Sequence, residues 1–192
     1  KHDIWYEFKN HRWHEIDSGV NLKVALSKEV CALYVNKVQE LTHRSMALTG
    51  DDPEQQKMQQ AARAAVEIVT KVKNFATKSN IMKEAKNIFY VSNFLNFLDT
   101  NPYLLCFNNG IIDFKTKEFR DGRPEDYCSK CTNIDYKDLS VIDKKHIEEV
   151  SDFFAQLWPV ESLRNYMWEH AASVLIGTNH NQAFNIYTGC GR

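Results

Sequence analysis

No run in this sequence approaches the ~18 consecutive apolar residues that span a bilayer, so no membrane-spanning helix is expected. The first residues, Lys1-His2-Asp3-Ile4-Trp5, lack the apolar core of a signal peptide and predict no secretory address. Net charge is nearly absent as well. The chain carries 24 Lys and Arg against 25 Asp and Glu, a balance of −1. That excludes a uniformly basic nucleic-acid binder and leaves room for a local basic patch. Cysteine is sparse and odd in number, at Cys31, Cys106, Cys128, Cys131 and Cys190. Without a secretory context these read as free, buried thiols. Cys128-Ser-Lys-Cys131 is a CxxC, yet a structural zinc site needs a second ligand pair, and the nearest downstream candidate, His146, stands alone in a helical stretch. No metal site is therefore expected. HExxH and GxSxG are missing, as are paired carboxylates on a recognisably apolar face. An enzyme complete within these residues is not expected.

What the chain does have is the material of a core. Its 192 residues are 43% hydrophobic and 12% aromatic, enough to bury roughly 70% of the unfolded surface and too much for a disordered segment. Ile4, Tyr6 and Phe8 alternate with Trp5, Glu7 and Lys9, Asn10-His11-Arg12 interrupts, and Trp13 and Glu15-Ile16 resume, which predicts a β-hairpin ending at Ser18-Gly19. Exposed aromatics on such a ribbon could stack on bases; packing of Trp5 and Trp13 on the helices behind is the plainer expectation. Leu22, Leu26, Val30, Leu33, Tyr34, Val38 and Leu41 then recur at three-and-four spacing, the mark of one helix face. Thr49-Gly50-Asp51-Asp52-Pro53 breaks the pattern, and Pro53 suits the first turn of the next helix. Met58, Ala62, Ala65, Val69, Val72 and Ala76 form a second stripe. A third runs from about Ile81 to Leu98 through Ile88, Phe89, Phe94 and Phe97, with a break near Ser92 and a stop at Asn101-Pro102.

A β segment follows. Leu104 to Phe107 leads into Asn108-Asn109-Gly110, then Ile111 to Phe114, a Lys115-Thr116-Lys117 turn, and a returning strand at Glu118 to Arg120. Ile147, Val150, Phe154 and Leu157 predict a helix stopped by Pro159. Leu163, Met167, His170 and Val174 predict another stopped by Gly177. His170 on that stripe reads as a core histidine bonded to a backbone carbonyl. The fold class is thus mainly α (α+β): a helical bundle with an N-terminal hairpin and a small central one.

Charge is segregated behind the neutral total. Residues 54–86 carry Lys57, Arg63, Lys71, Lys73, Lys78, Lys83 and Lys86 against three acids, a local +4, whereas 135–152 stands at −3. Lys71, Lys73, Lys78, Lys83 and Lys86 are the candidate phosphate contacts; a solvated helix face is the other reading. At the far end, the apolar run Ala183 to Tyr187 enters Thr188-Gly189-Cys190-Gly191-Arg192. A buried strand followed by Gly-x-Gly is how a phosphate loop opens, with backbone N–H groups curling round phosphate oxygens. The full pattern G-x-x-x-x-G-K-S/T would start at Gly189; the Lys and Ser/Thr that act on nucleotide are not among these residues. Gly189, Cys190, Gly191 and Arg192 are the candidate nucleotide-binding residues, and none is catalytic.

The central residues carry a resemblance. Asn109-Gly110-Ile111-Ile112-Asp113-Phe114-Lys115-Thr116-Lys117-Glu118-Phe119-Arg120, then Pro124-Glu125-Asp126-Tyr127 and Ile134-Asp135-Tyr136, is similar to the signature of viral and phage primase–helicases. Trp5-Tyr6-Glu7-Phe8 through Trp13 resembles the Trp-bearing hairpin of poxvirus-like and giant-virus members. Phe184 to Arg192 resembles the opening strand and phosphate loop of their superfamily 3 ATPase. Lys117 stands where the family often has Gly, which points to a different turn, and Cys128 and Cys131 replace residues that are more often small or polar.

The resemblance implies a domain order: the Trp-bearing hairpin at 1–19, a helical pre-helicase domain at 20–177 with its β insertion at about 104–120, and the first strand and loop of a truncated ATPase domain at 178–192. It implies ATP and Mg²⁺ as cofactors of the full-length protein and none for this fragment. Its partners would be single-stranded or forked DNA, adjoining primase and helicase domains, and five further copies in a homo-hexamer, with no membrane. Its place would be intracellular, in host cytoplasm or a viral replication site. The chain itself would be a non-catalytic linker or collar that guides DNA for an ATP-dependent helicase; the alternative is an oligomerisation or protein-interaction domain without DNA binding.

Overall fold

The structure, a computed structural model, describes residues 4–48, 53–178 and 186–188. The chain forms two compact units, Lys1–Glu7 with Glu15–Ser92 and Phe8–His14 with Asn93–Arg192. Strands β1 (Trp5–Lys9) and β2 (Arg12–Ile16) make the expected hairpin, whose tip counts with the second unit. Asn10 and His11 both take positive φ, 50° and 64°, the pair of left-handed residues that a tight two-residue hairpin turn demands.

The first unit is helical: α1 (Val20–Ala25), a π-turn (Leu26–Val30), α2 (Cys31–Met46), α3 (Pro53–Lys73) and α4 (Phe75–Ile88). The stripe on α3 is as its spacing predicts, with Ala65 and Val72 buried and α2 packed along it. Two details differ from the sequence expectation. The π-turn inserts an extra residue, so the inward face passes to Cys31, Tyr34, Val38 and Ser45 and leaves Leu33 67% exposed. The Cys31 thiol reaches back to the Leu26 carbonyl at 3.5 Å, inside that wider turn. And the second stripe is not one helix to Ala76. Asn74 breaks it with extended backbone, its side-chain oxygen accepting from the Ala76 and Thr77 N–H groups as the cap of α4.

The second unit is built on a three-stranded antiparallel sheet in the order β3 (Leu104–Phe107), β4 (Gly110–Asp113), β5 (Glu118–Arg120). The Asn-Asn turn pairs Phe107 with Gly110. Gly110 sits at φ 157°, and a Cβ there would lie 2.6 Å from Phe119 Cζ and 2.8 Å from the Arg120 carbonyl, so only glycine lets β5 close on β4. The second turn uses Lys117 in the left-handed conformation (φ 60°), its N–H donating to the Asp113 carbonyl at 2.7 Å. A side chain in that region costs about 1 kcal/mol, so Lys117→Gly is expected to raise unfolding free energy by about that amount in urea titration. An unchanged midpoint would contradict the strain.

Ile111 is fully buried, with Cys106 and Cys128 against it and Leu104 and Cys131 beside them. Beyond the sheet, α5 (Lys144–Leu157) starts on an Asp143 cap, and α6 (Glu161–Ser173) follows the Pro159 stop. Phe154 stacks on Trp168 with centroids 3.7 Å apart, and Met167 is buried. The rest of the predicted α5 stripe is not covered: Ile147, Val150 and Leu157 stay exposed. His170 lies flat against Tyr166 at 6.1 Å, a ring contact in place of the expected carbonyl bond. Ala183 to Asn185 of the expected final strand, and Gly189 to Arg192 of the expected phosphate loop, lie outside the described residues; Ile186 to Thr188 are not in a strand.

Candidate functional site

The signature residues converge in the second unit, and their geometry is that of mutual support. Arg120 ends β5 and faces Asp126 of the Pro124–Asp126 turn through two parallel hydrogen bonds, 2.8 and 2.7 Å. Asp113 on the neighbouring strand adds its charge at 3.8 Å from the same guanidinium. Asp126 also accepts from the Arg123 N–H at 2.7 Å. Burial pushes the Asp126 carboxyl up, but the Arg120 hydrogen bonds, the Arg123 N–H and both positive charges prevail and hold it below the usual range. The Asn109 side chain exchanges two hydrogen bonds with the Tyr136 backbone, 3.0 and 2.9 Å, and the Tyr136 ring lies against Phe107 and Phe119. Thus the Asn-Gly, Arg, Pro-Glu-Asp-Tyr and Asp-Tyr elements staple one sheet to the irregular chain that follows it.

Trp13 is held in the same way. Its indole N–H donates to the Pro124 carbonyl at 2.8 Å, its backbone N–H to the Cys128 carbonyl at 2.7 Å, and its ring meets Phe8 and Phe94 edge-on. The ring is thereby engaged by protein and does not stand free for a base. Asp99, which no sequence pattern singles out, is a further anchor: its carboxylate accepts from the Ser129 N–H and hydroxyl and from the Lys130 N–H. Although burial raises its pKa, those hydrogen bonds and the Lys130 charge outweigh it and leave the carboxyl depressed.

Three thiols also meet here. Cys106 joins the CxxC pair through the fold, an encounter hidden in sequence by more than twenty intervening residues. Burial first, then the neighbouring Cys131 and Cys128, push the Cys106 thiol up to about 12. Burial and the charges of Asp126 and Asp99 push Cys128 up to about 11. Both stay protonated at neutral pH and act as small apolar packing groups. Among the described residues no cluster of three or more His, Cys, Asp or Glu side chains is arranged to hold a metal ion. A depression of about 420 Å³ borders the thiols, and its polar members Asp99, Asn101 and Asp126 already accept from the chain's own groups.

The candidate phosphate contacts lie in the first unit, on α3 and α4. They do not form one stripe. Lys78 is turned inward, its ammonium donating to the Ser27 hydroxyl at 3.0 Å. Lys71 pairs with Glu67 one turn earlier at 3.8 Å. Lys73, Lys83 and Lys86 are exposed, and Lys83 and Lys86 occupy successive turns of α4. What sequence reasoning missed is what flanks them. Ile88, Phe89, Tyr90 and Val91, assigned in part to an apolar helix face, are all exposed, Phe89 at 64% and Tyr90 at 75%. The predicted helical stretch to Leu98 is cut short: α4 ends at Ile88 with Phe89 as its C-cap, ahead of the break expected near Ser92.

An α+β module emerges, with an internally stapled sheet in one unit and a basic helix in the other. The chain belongs to the D5 N terminal-like family, whose profile matches residues 1–156. It is 35% identical over its whole length to a protein of Acanthamoeba polyphaga mimivirus named "Putative helicase", covering 20% of that protein. A similarly named protein of Invertebrate iridescent virus 3 is 37% identical over 123 residues, 64% of this chain and 13% of the relative. One from Frog virus 3 (isolate Goorha) is 24% identical over 86% of the chain. The chain thus spans about a fifth or less of these relatives. No described helix is long and apolar enough to cross a membrane.

Proposed function

We propose that this region serves a viral replicative primase–helicase as the element that joins its modules and guides DNA toward an ATP-driven motor. The observation that carries the reading is the family match, reinforced by likeness along the entire chain to a protein named as a helicase. In this reading the full-length protein uses ATP and Mg²⁺, Gly189 to Arg192 open its phosphate loop, residues 178–192 begin its ATPase domain, and six copies form the ring. Lys71, Lys73, Lys83 and Lys86 attract DNA phosphates, while Lys78 is partly spent on Ser27.

The test is binding of forked DNA at low salt by the chain and by a variant with all five lysines reversed to glutamate. Each lost phosphate contact lowers the salt dependence as well as the affinity, so a weakening of at least tenfold is expected. Equal affinity in the variant would remove the lysines from the reading. A second reading, assembly without DNA, is favoured by the uncovered Ile147, Val150 and Leu157 face of α5. It predicts self-association in light scattering that Val150→Asp abolishes; a monomer at high concentration would refute it.

A further inference from the structure

We propose that Cys131 is an oxidation site, which a hydroperoxide converts to a disulfide with Cys106 and thereby to a covalent latch within the second unit. The proposal concerns this unit alone and stands apart from the DNA-guiding role. Three thiols gather here, and their surroundings give each a different part. Cys106 on β3 is buried, and so is Cys128, whereas Cys131 is partly exposed. The Cys131 sulfur is held from two sides: it accepts from the Asn133 N–H at 3.3 Å, and its thiol donates to the Asn108 side-chain oxygen at 3.6 Å. The Thr132 N–H donates to the Cys106 carbonyl at 2.9 Å, which brings the preceding residue, Cys131, alongside Cys106. Chain segments joined by such a bond run about 5 Å apart, a span that a disulfide bridges. Cys131 packs against the core that Cys106 shares with Ile111, and its thiol is a hydrogen-bond partner of the Cys106 thiol.

The CxxC spacing would pair Cys131 with Cys128, but the fold selects the other thiol. Cys128 donates to the Asp126 carbonyl at 3.7 Å, and its charged neighbours are Asp126, Asp99 and Arg120. The chemistry balances with one hydroperoxide. The Cys131 thiolate attacks a peroxide oxygen, the O–O bond breaks, and the leaving oxygen departs with the proton that the thiol gave up. Sulfur is left as the sulfenic acid. The Cys106 sulfur then attacks the sulfenic sulfur; the S–S bond forms as the S–O bond breaks, and hydroxide leaves with the Cys106 proton as water. Two thiols are oxidised by two electrons, and the peroxide is reduced. Burial keeps Cys106 out of the first step, because a thiolate and not a thiol attacks peroxide. It leaves Cys106 beside the one sulfur it has to capture. The new bond ties β3 to the chain beyond the Pro124–Asp126 turn, alongside the Arg120–Asp126 pair, and removes freedom from the unfolded chain.

The test treats the folded chain with hydrogen peroxide, blocks remaining thiols with iodoacetamide and maps the unreduced tryptic peptides by mass spectrometry. Lys130 lies between Cys128 and Cys131, so trypsin puts the two in different peptides. The expected product joins the Cys106 and Cys131 peptides with a loss of about 2 Da, is undone by dithiothreitol, and gives the oxidised chain a higher urea midpoint than the reduced one. Cys128→Ser should keep this crosslink and Cys131→Ser should abolish it. Cys106→Ser should leave a sulfenic acid at Cys131 that dimedone traps. The wild-type map decides the matter even where Cys106→Ser fails to fold. A Cys128–Cys131 crosslink, a Cys131 that ends as sulfinic acid or unmodified, or a midpoint that the crosslink does not raise would overturn the latch.

Discussion

Replacing Trp13 with alanine is expected to destabilise the second unit by about 3 kcal/mol, the largest effect of any single side chain. Removal of a well-packed tryptophan costs 3–5 kcal/mol when fully buried, and Trp13 is half-buried. Three contributions vanish together: the edge-on contacts with Phe8 and Phe94, and the hydrogen bond to the Pro124 carbonyl. Trp13→Phe keeps a ring and leaves that carbonyl without its indole donor, so it should lose only about 1–2 kcal/mol. Urea unfolding followed by far-UV circular dichroism measures both. If alanine and phenylalanine cost the same, the ring contacts contribute nothing and the account of this residue is wrong.

Asp126→Asn should cost about 2–3 kcal/mol. The Arg120 and Asp126 side chains retain only 24% and 10% exposure, so removing the carboxylate strands a largely desolvated guanidinium. The bidentate geometry makes the amide a poor substitute, since one of its two positions is now a donor facing a donor. Arg120→Met combined with Asp126→Leu should be milder than Asp126→Asn alone, because no charge is left unpaired. A double variant worse than the single would contradict this. The pair also has a pH signature. Asp126 and Asp99 are both depressed in the folded state, so the unfolded chain binds their protons first. Their contribution is fully present above about pH 4 and is lost as pH falls through the lower folded values. Stability should therefore drop steeply below about pH 4, and the Asp126→Asn variant should show a shallower drop. Identical pH slopes would dissociate Asp126 from acid unfolding.

Local pattern carried much of the fold. The period-two alternation of Ile4, Tyr6 and Phe8 produced the hairpin, the three-and-four spacing of Met58 to Val72 produced α3, and Asn109-Gly110 marked the sheet's first turn. Pro159 ended a helix where its missing N–H requires an end. The failures have physical causes of two kinds. Some signals were local but outweighed: Asn74 is a good cap, yet the apolar period runs unbroken across it, and only the cap's two hydrogen bonds decide that α3 stops. The π-turn at Leu26–Val30 has no composition of its own, so the exposure of Leu33 could not be foreseen.

Other features depend on residues far apart in the chain. Trp13 meets Pro124 across 111 positions, Asp99 meets Ser129 across thirty, and Cys106 joins Cys128 and Cys131 only through the sheet. The signature around Asn109 to Tyr136 was legible as a family mark, while its meaning as a set of staples needed the Arg120–Asp126 geometry. The basic segment was legible as charge. Its division into an inward Lys78, a paired Lys71 and an exposed Lys83 and Lys86 was not, because charge counting is blind to direction.

Direct contact between this region and a DNA strand is the central claim, and photocrosslinking tests it most directly. Forked DNA carrying 5-iodouracil in its single-stranded arm is irradiated with the chain, and the attached peptides are identified by mass spectrometry. The account predicts crosslinks within residues 71–86, the segment that carries the candidate lysines. Crosslinks confined to the second unit, or none above a non-binding control, would contradict it.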